Sequence, residues 1–164
     1  MSRILTDIIA EQTELFFHNI KTALQTCDMD CVLCDMPIWK HVYHMLHSVD
    51  QWFINPARFD EPPFHEPGLN SLDAHSGKTL SREELLSYYN SIREKTLCWI
   101  ATLTDERLPE KPEGCEYTNL AKILGQYRHA YAHLGNINCT TILKTGRWPL
   151  VAGLDRPITD ELYE

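Results

Sequence analysis

Histidines are the residues of this chain whose spacing most clearly indicates chemistry. His129 and His133 are four residues apart, so on a helix they lie on one face, one turn apart. An earlier segment holds His41, His44 and His47. Two imidazoles from one helix and one from another would form a three-histidine site for a divalent ion, with a position left for water or substrate. Spacing alone leaves two interpretations open: the side chains face solvent, or they converge along a polar seam.

Helix geometry, at about 100° per residue, places these histidines away from the predicted apolar stripes. For the last helical segment that stripe is Leu120, Ile123, Leu124, Tyr127, Tyr131 and Leu134. His129 and His133 lie more than about 100° from its centre. His47 is similarly displaced from the stripe of its own segment, which is Ile38, Val42, Met45, Leu46, Val49 and Phe53. We therefore expect none of the three to be a buried, hydrogen-bonded core histidine.

Six cysteines offer a second possible chemistry, and three of them, Cys27, Cys31 and Cys34, have C-x3-C-x2-C spacing. This spacing occurs at the iron–sulfur loop of radical S-adenosylmethionine enzymes. Those enzymes need a large α/β barrel, for which the chain has neither the length nor the strands. A three-cysteine zinc loop is the remaining alternative. We expect free, partly buried thiols in a reducing compartment.

Four helical segments must position these residues. Apolar side chains recur at helical spacing over residues 2–25, 37–54, 81–103 and 118–144. Asp35 and Pro37 are expected to start the second helix, as a cap and a first-turn residue. Ser81 and Glu84 form a capping-box pattern, and Gly146 is a predicted C-cap.

The connections between the segments indicate the topology. Residues 55–80 are rich in proline and glycine and show no strand alternation. Such a long second connection predicts an all-α four-helix bundle with a crossover between helices 2 and 3. We expect one domain over residues 1–164, with an irregular C-terminal tail from about 146.

Composition excludes several classes of partner. The 164 residues carry a formal net charge of -8, with 43% hydrophobic and 23% charged residues. An acidic chain is a poor partner for nucleic acid or an anionic membrane, since both select basic surfaces. No apolar run reaches the length of a membrane span, and acidic residues interrupt the N-terminal apolar positions. We therefore expect a cytoplasmic protein with neither kind of partner.

Two segments resemble the DinB-like (YfiT-like) four-helix-bundle superfamily. Residues 39–52, WKHVYHMLHSVDQW, resemble its second helix, and residues 127–137, YRHAYAHLGNI, are similar to its fourth-helix pattern H-x-x-x-H-L-x-x-I. The order of the helices and the long connection also agree. The resemblance implies a bundle that binds zinc or nickel through His47, His129 and His133. His44, one turn away, is the alternative third ligand, and homodimers are common in the family.

The resemblance also implies a class of reactions. Members include thiol-S-transferases that use bacillithiol, mycothiol or glutathione, and a mycothiol-dependent maleylpyruvate isomerase. The expected partner is a small-molecule substrate, with low-molecular-weight thiols among the candidates, and metal-dependent hydrolysis is a variant on the same ligands. The alternative is a non-catalytic binding or stress-response protein with a structural or vestigial metal site. Asp50 could orient an imidazole, although an exposed charge is the expected role.

Overall fold

The computed structural model describes residues 1–164 and is mostly helical, as predicted. Its four helices are α1 (Ile4–Thr26), α2 (Ile38–Trp52), α3 (Arg82–Ala101) and α4 (Asn119–Thr145). Their ends lie within about two residues of the predicted ones. None of them combines the length and the apolar character that a membrane span requires.

The helices pack around one buried apolar core. α1 and α2 each pack mainly on α3 and α4, so α1 and α2 occupy a diagonal of the bundle. The entire predicted stripe of α2, from Ile38 to Phe53, is fully buried. The packing confirms an all-α helical bundle, while the crossover topology of the resembled family stays a prediction.

The start of α2 differs from the prediction. Two short antiparallel strands precede it, β1 (Val32–Leu33) and β2 (Met36–Pro37). Asp35 lies in the turn between them, where it and Cys34 have positive φ, as both central residues of a type I′ hairpin turn do. Asp35 as a helix cap was therefore wrong, and Pro37 is the N-cap itself instead of a first-turn residue.

Backbone carbonyls take over the role of a cap at α2. Its first N–H groups have no acceptor within the helix. The N–H of Ile38 donates to the Cys31 carbonyl at 2.8 Å, and that of Trp39 donates to the Met29 carbonyl at 3.0 Å. The loop and hairpin that follow α1 thus fix where α2 begins.

The other helix ends agree with the sequence. Ser81 and Glu84 make both hydrogen bonds of a capping box at α3. Gly146 ends α4 in the left-handed conformation, with φ 69°, which costs glycine little because it has no Cβ. The tail beyond it folds back on itself, where the N–H of Leu150 donates to the Leu162 carbonyl at 2.9 Å.

The long connection after α2 contains one 3-10 turn, Pro56–Arg58, and otherwise bends and turns. It lies against α2. Leu69 is fully buried in the core, and the Lys40 ammonium group donates to the Ala74 carbonyl. Most residues of α2 are buried as a result, including polar ones that the apolar pattern would place outside.

Candidate metal centre

Three half-buried histidines from two packed helices converge between α2 and α4. Each of His44, His129 and His133 offers a ring nitrogen, and these atoms all lie within 4.8 Å of one another. The ring centroids are 4.7 Å apart for His44–His133 and His129–His133, and 5.4 Å for His44–His129. Nitrogens on a tetrahedral zinc ion are about 3.4 Å apart, so small side-chain movements would close the group around one ion.

The His44 imidazole is held in a defined tautomer. Its Nδ1 lies 2.7 Å from the backbone carbonyl oxygen of Asn70, which can only accept a hydrogen bond. In the neutral ring, Nδ1 therefore carries the proton and Nε2 keeps its lone pair. Metal-binding histidines commonly donate their other ring N–H to a carbonyl in this way, which orients the ring.

The two histidines of α4 carry nitrogens that lack partners. Nε2 of His129 and Nδ1 of His133 are buried and make no hydrogen bond. Burial, followed by the nearby His44, lowers the pKa of His129. Burial and the neighbouring imidazoles lower the pKa of His133 to about 4. Burial thus favours the neutral form of both rings, and a bound cation would give a partner to buried nitrogens whose isolation costs about 1–3 kcal/mol each.

The buried face of α4 explains how these histidines reach the bundle interior. Ala130 is fully buried and Gln126 is 8% exposed, whereas the predicted stripe residues Leu124 and Tyr131 are 43% and 42% exposed. The predicted stripe was therefore wrong for this part of α4. The true buried face is rotated toward the histidines and includes the small residue Ala130.

His47 does not join His129 and His133. Its side chain contacts the long connection instead, because three residues along a helix correspond to a rotation of about 60° and a rise of about 4.5 Å relative to His44. Nε2 of His47 donates to Glu61 Oε2 at 2.7 Å, and Nδ1 accepts from the Asn70 side-chain amide at 3.3 Å. His47 is only 2% exposed. The expectation that it would not be a buried, hydrogen-bonded histidine was therefore wrong.

The connection contributes residues that sequence reasoning missed. Glu61 and His65 form a second group with His47, in which the potential ligand atoms lie within 4.8 Å of one another. Asn70 contacts both groups, through its carbonyl and through its side chain. The segment has no periodicity, so no pattern in the sequence indicates which of its residues face α2.

The remaining candidates have structural partners. His41 is hydrogen-bonded to the Leu33 carbonyl at 2.9 Å. Asp50 is buried, accepts from the Tyr88 hydroxyl at 2.8 Å and pairs with Lys95. It is thus neither the expected exposed charge nor an imidazole partner. All six cysteines are free, and Cys27 is buried, which raises the pKa of its thiol.

Comparison with known proteins does not assign the chain to a family. No protein-family model, curated protein or solved structure matches the chain. A proposal about function therefore rests on the residues and their geometry.

Proposed function

We propose that this chain is a DinB-like protein that binds one divalent ion, zinc or nickel, through His44, His129 and His133. The observation that carries the proposal is the convergence of three imidazole nitrogens, together with a buried nitrogen on each of His129 and His133 that has no hydrogen-bond partner. His44 takes the place that the resemblance assigns to His47, because His44 faces α4 and has its Nε2 lone pair free.

The three imidazole donors fit a catalytic metal site as well as a structural one. Neutral imidazoles suit zinc, nickel, copper and iron, and three protein ligands leave at least one coordination position open. When bound, such an ion lowers the pKa of a thiol or water ligand. The proposed activity is therefore a metal-dependent thiol-S-transferase or hydrolase reaction on a small molecule. The chain's own contribution is a fixed His44 ring and two packed helices that hold the ligands.

One observation favours the alternative, a non-catalytic protein with a structural or vestigial metal. A cavity of about 660 Å³ lies beside α3 and the 104–118 connection, and an apolar groove of about 580 Å³ lies at the end of α4. Neither is lined by His44, His129 or His133. Neither of these two openings therefore gives a substrate access to the three histidines.

Metal content after reloading tests the proposal. Purified protein is stripped with a chelator and dialysed against Zn²⁺ or Ni²⁺, and the bound metal is counted by elemental analysis. The His129→Ala/His133→Ala variant is expected to bind one equivalent fewer than the wild type, while His75→Ala, which removes an exposed histidine, binds as much as the wild type. Equal metal content in the double variant and the wild type would overturn the assignment.

A conjugation assay separates the enzyme from the binding protein. The reloaded wild type and the double variant are compared with bacillithiol, mycothiol and glutathione as thiol donors and an electrophilic acceptor. Thiol transfer by the wild type alone supports catalysis at this site. Metal binding without transfer or hydrolysis supports the non-catalytic alternative.

A further inference from the structure

A second group of side chains with potential metal-ligand atoms lies on the other side of Asn70. It consists of His47 on α2 and of Glu61 and His65 on the long connection. Glu61 Oε2 lies 2.7 Å from His47 Nε2 and 3.7 Å from His65 Nδ1. We propose that these three residues form a second, separate site for a divalent transition-metal ion. This inference concerns different ligands from the proposed His44 centre and does not depend on it.

The arrangement goes beyond an ordinary ion pair, because one carboxylate oxygen faces two imidazoles. The His47 and His65 rings stack with centroids 4.9 Å apart, and Phe59 packs edge-on against His47 at 5.4 Å. Both imidazoles are largely buried, with side-chain exposures of 3% and 14%, whereas Glu61 is 50% exposed. Aromatic rings therefore enclose the nitrogen donors, and the carboxylate side is open for an ion to enter.

The donor atoms of the group also suit a cation, because Glu61 contributes a carboxylate oxygen and the two histidines contribute ring nitrogens. Two imidazoles and one carboxylate form a harder donor set than three imidazoles, and such sets hold iron, manganese, cobalt or zinc in the divalent state.

Metal binding changes the tautomer of His47, but the ring keeps its proton. In the structure Nε2 donates to Glu61, and Nδ1 accepts from the Asn70 amide. With an ion on Nε2, the proton moves to Nδ1. A half-turn of the Asn70 amide then presents its oxygen to that proton, since an amide has a donor at one end and an acceptor at the other. The Tyr43 hydroxyl, which lies 2.8 Å from His65 Nδ1, loses this hydrogen bond when that nitrogen binds the ion.

A Co²⁺ titration tests the second site by itself. Equilibrium dialysis counts bound Co²⁺ in the His129→Ala/His133→Ala variant, which lacks two ligands of the His44 centre. One equivalent is expected to remain, and adding either Glu61→Gln or His65→Ala is expected to remove it. Glu66→Gln and His75→Ala, changes of the same type in the same connection, should leave it in place. Circular dichroism confirms that each variant is folded.

Two results would overturn the second site. One is a His129→Ala/His133→Ala variant that binds no Co²⁺, and the other is an equivalent that survives both Glu61→Gln and His65→Ala. Failure of the His44 centre gives a different result. In that case the wild type and the double variant bind the same single equivalent, and Glu61→Gln removes it from both.

Discussion

At the scale of residues, the composition of the proposed site depends on which α2 histidine faces α4. His44 has one ring nitrogen bound to a carbonyl and the other free, whereas both nitrogens of His47 have hydrogen-bond partners. Only His44 can therefore add a lone pair to those of His129 and His133 without breaking an existing bond. The two α2 positions have separate roles, although they are only one turn apart.

Removing these two histidines separately should distinguish them. A Glu61→Gln/His65→Ala background removes the second proposed site and leaves one equivalent of Zn²⁺. In this background we expect His44→Ala to abolish Zn²⁺ binding, because His129 and His133 alone provide only two ligands. His47→Gln in the same background should retain it. Isothermal titration calorimetry measures both. The opposite pattern, with loss in His47→Gln and retention in His44→Ala, would restore the ligand set that the family resemblance implies.

The sequence could predict the α4 pair but not its partner. Spacing of four residues puts His129 and His133 on one face of any helix. The choice between His44 and His47 depends on the 55–80 connection, which covers the His47 face of α2 and supplies Asn70, Glu61 and His65. Contacts made by an aperiodic segment leave no pattern that could be recognised in advance.

At the scale of elements, helix ends were predictable wherever side chains make the cap. Ser81, Glu84 and Gly146 act locally, so their types and spacing were sufficient. Backbone carbonyls of a preceding loop satisfy the first N–H groups of α2, and any residue type supplies a carbonyl. The residue type of Asp35 therefore could not show that it lies in the hairpin turn and not at the helix end.

The capping box of α3 gives a stability prediction. Ser81→Ala should lower the free energy of unfolding by about 1 kcal/mol, because it leaves the Glu84 N–H without its side-chain acceptor. Ser87→Ala, an exposed change within the same helix, should leave stability unchanged or slightly higher, since alanine is the better helix former. Urea denaturation measures both. Equal destabilisation by the two variants would contradict a specific capping role.

Hydrophobicity alone does not identify the buried face of α4. Gln126 and Ala130 are buried while Leu124 and Tyr131 are largely exposed. A helix that carries a polar site must place polar and small residues on its inner face, so its apolar pattern no longer marks that face. The polar residues that indicate a functional site on α4 therefore also make its apolar pattern a poor guide to its buried face.

At the scale of the whole molecule, the apolar core and the proposed metal site are built from different residues. The buried apolar cluster extends over all four helices, whereas His44, His129 and His133 are only half-buried. The presence of four helices followed from apolar periodicity. Their arrangement, with α1 and α2 on a diagonal, depends on long-range packing, which no short segment specifies.

This separation predicts how the protein behaves without metal. Chelation with EDTA should leave the helical signal at 222 nm largely unchanged, because the apolar core remains intact. The melting temperature should fall, since a ligand present at 100 times its dissociation constant adds about 2.7 kcal/mol of stability. Circular dichroism during thermal unfolding records both quantities. Collapse of the helical signal on chelation at 25 °C would show that the metal is needed for folding.

Anomalous diffraction from crystals grown with Zn²⁺ would locate a bound ion directly. We expect a zinc peak at about 2.0–2.1 Å from one nitrogen each of His44, His129 and His133. The second proposed site would add a separate peak at His47, Glu61 and His65. With saturating zinc, the absence of a peak among His44, His129 and His133 would show that these residues do not form the site. A zinc ion held by His47 in place of His44 would show that the third ligand is wrongly assigned.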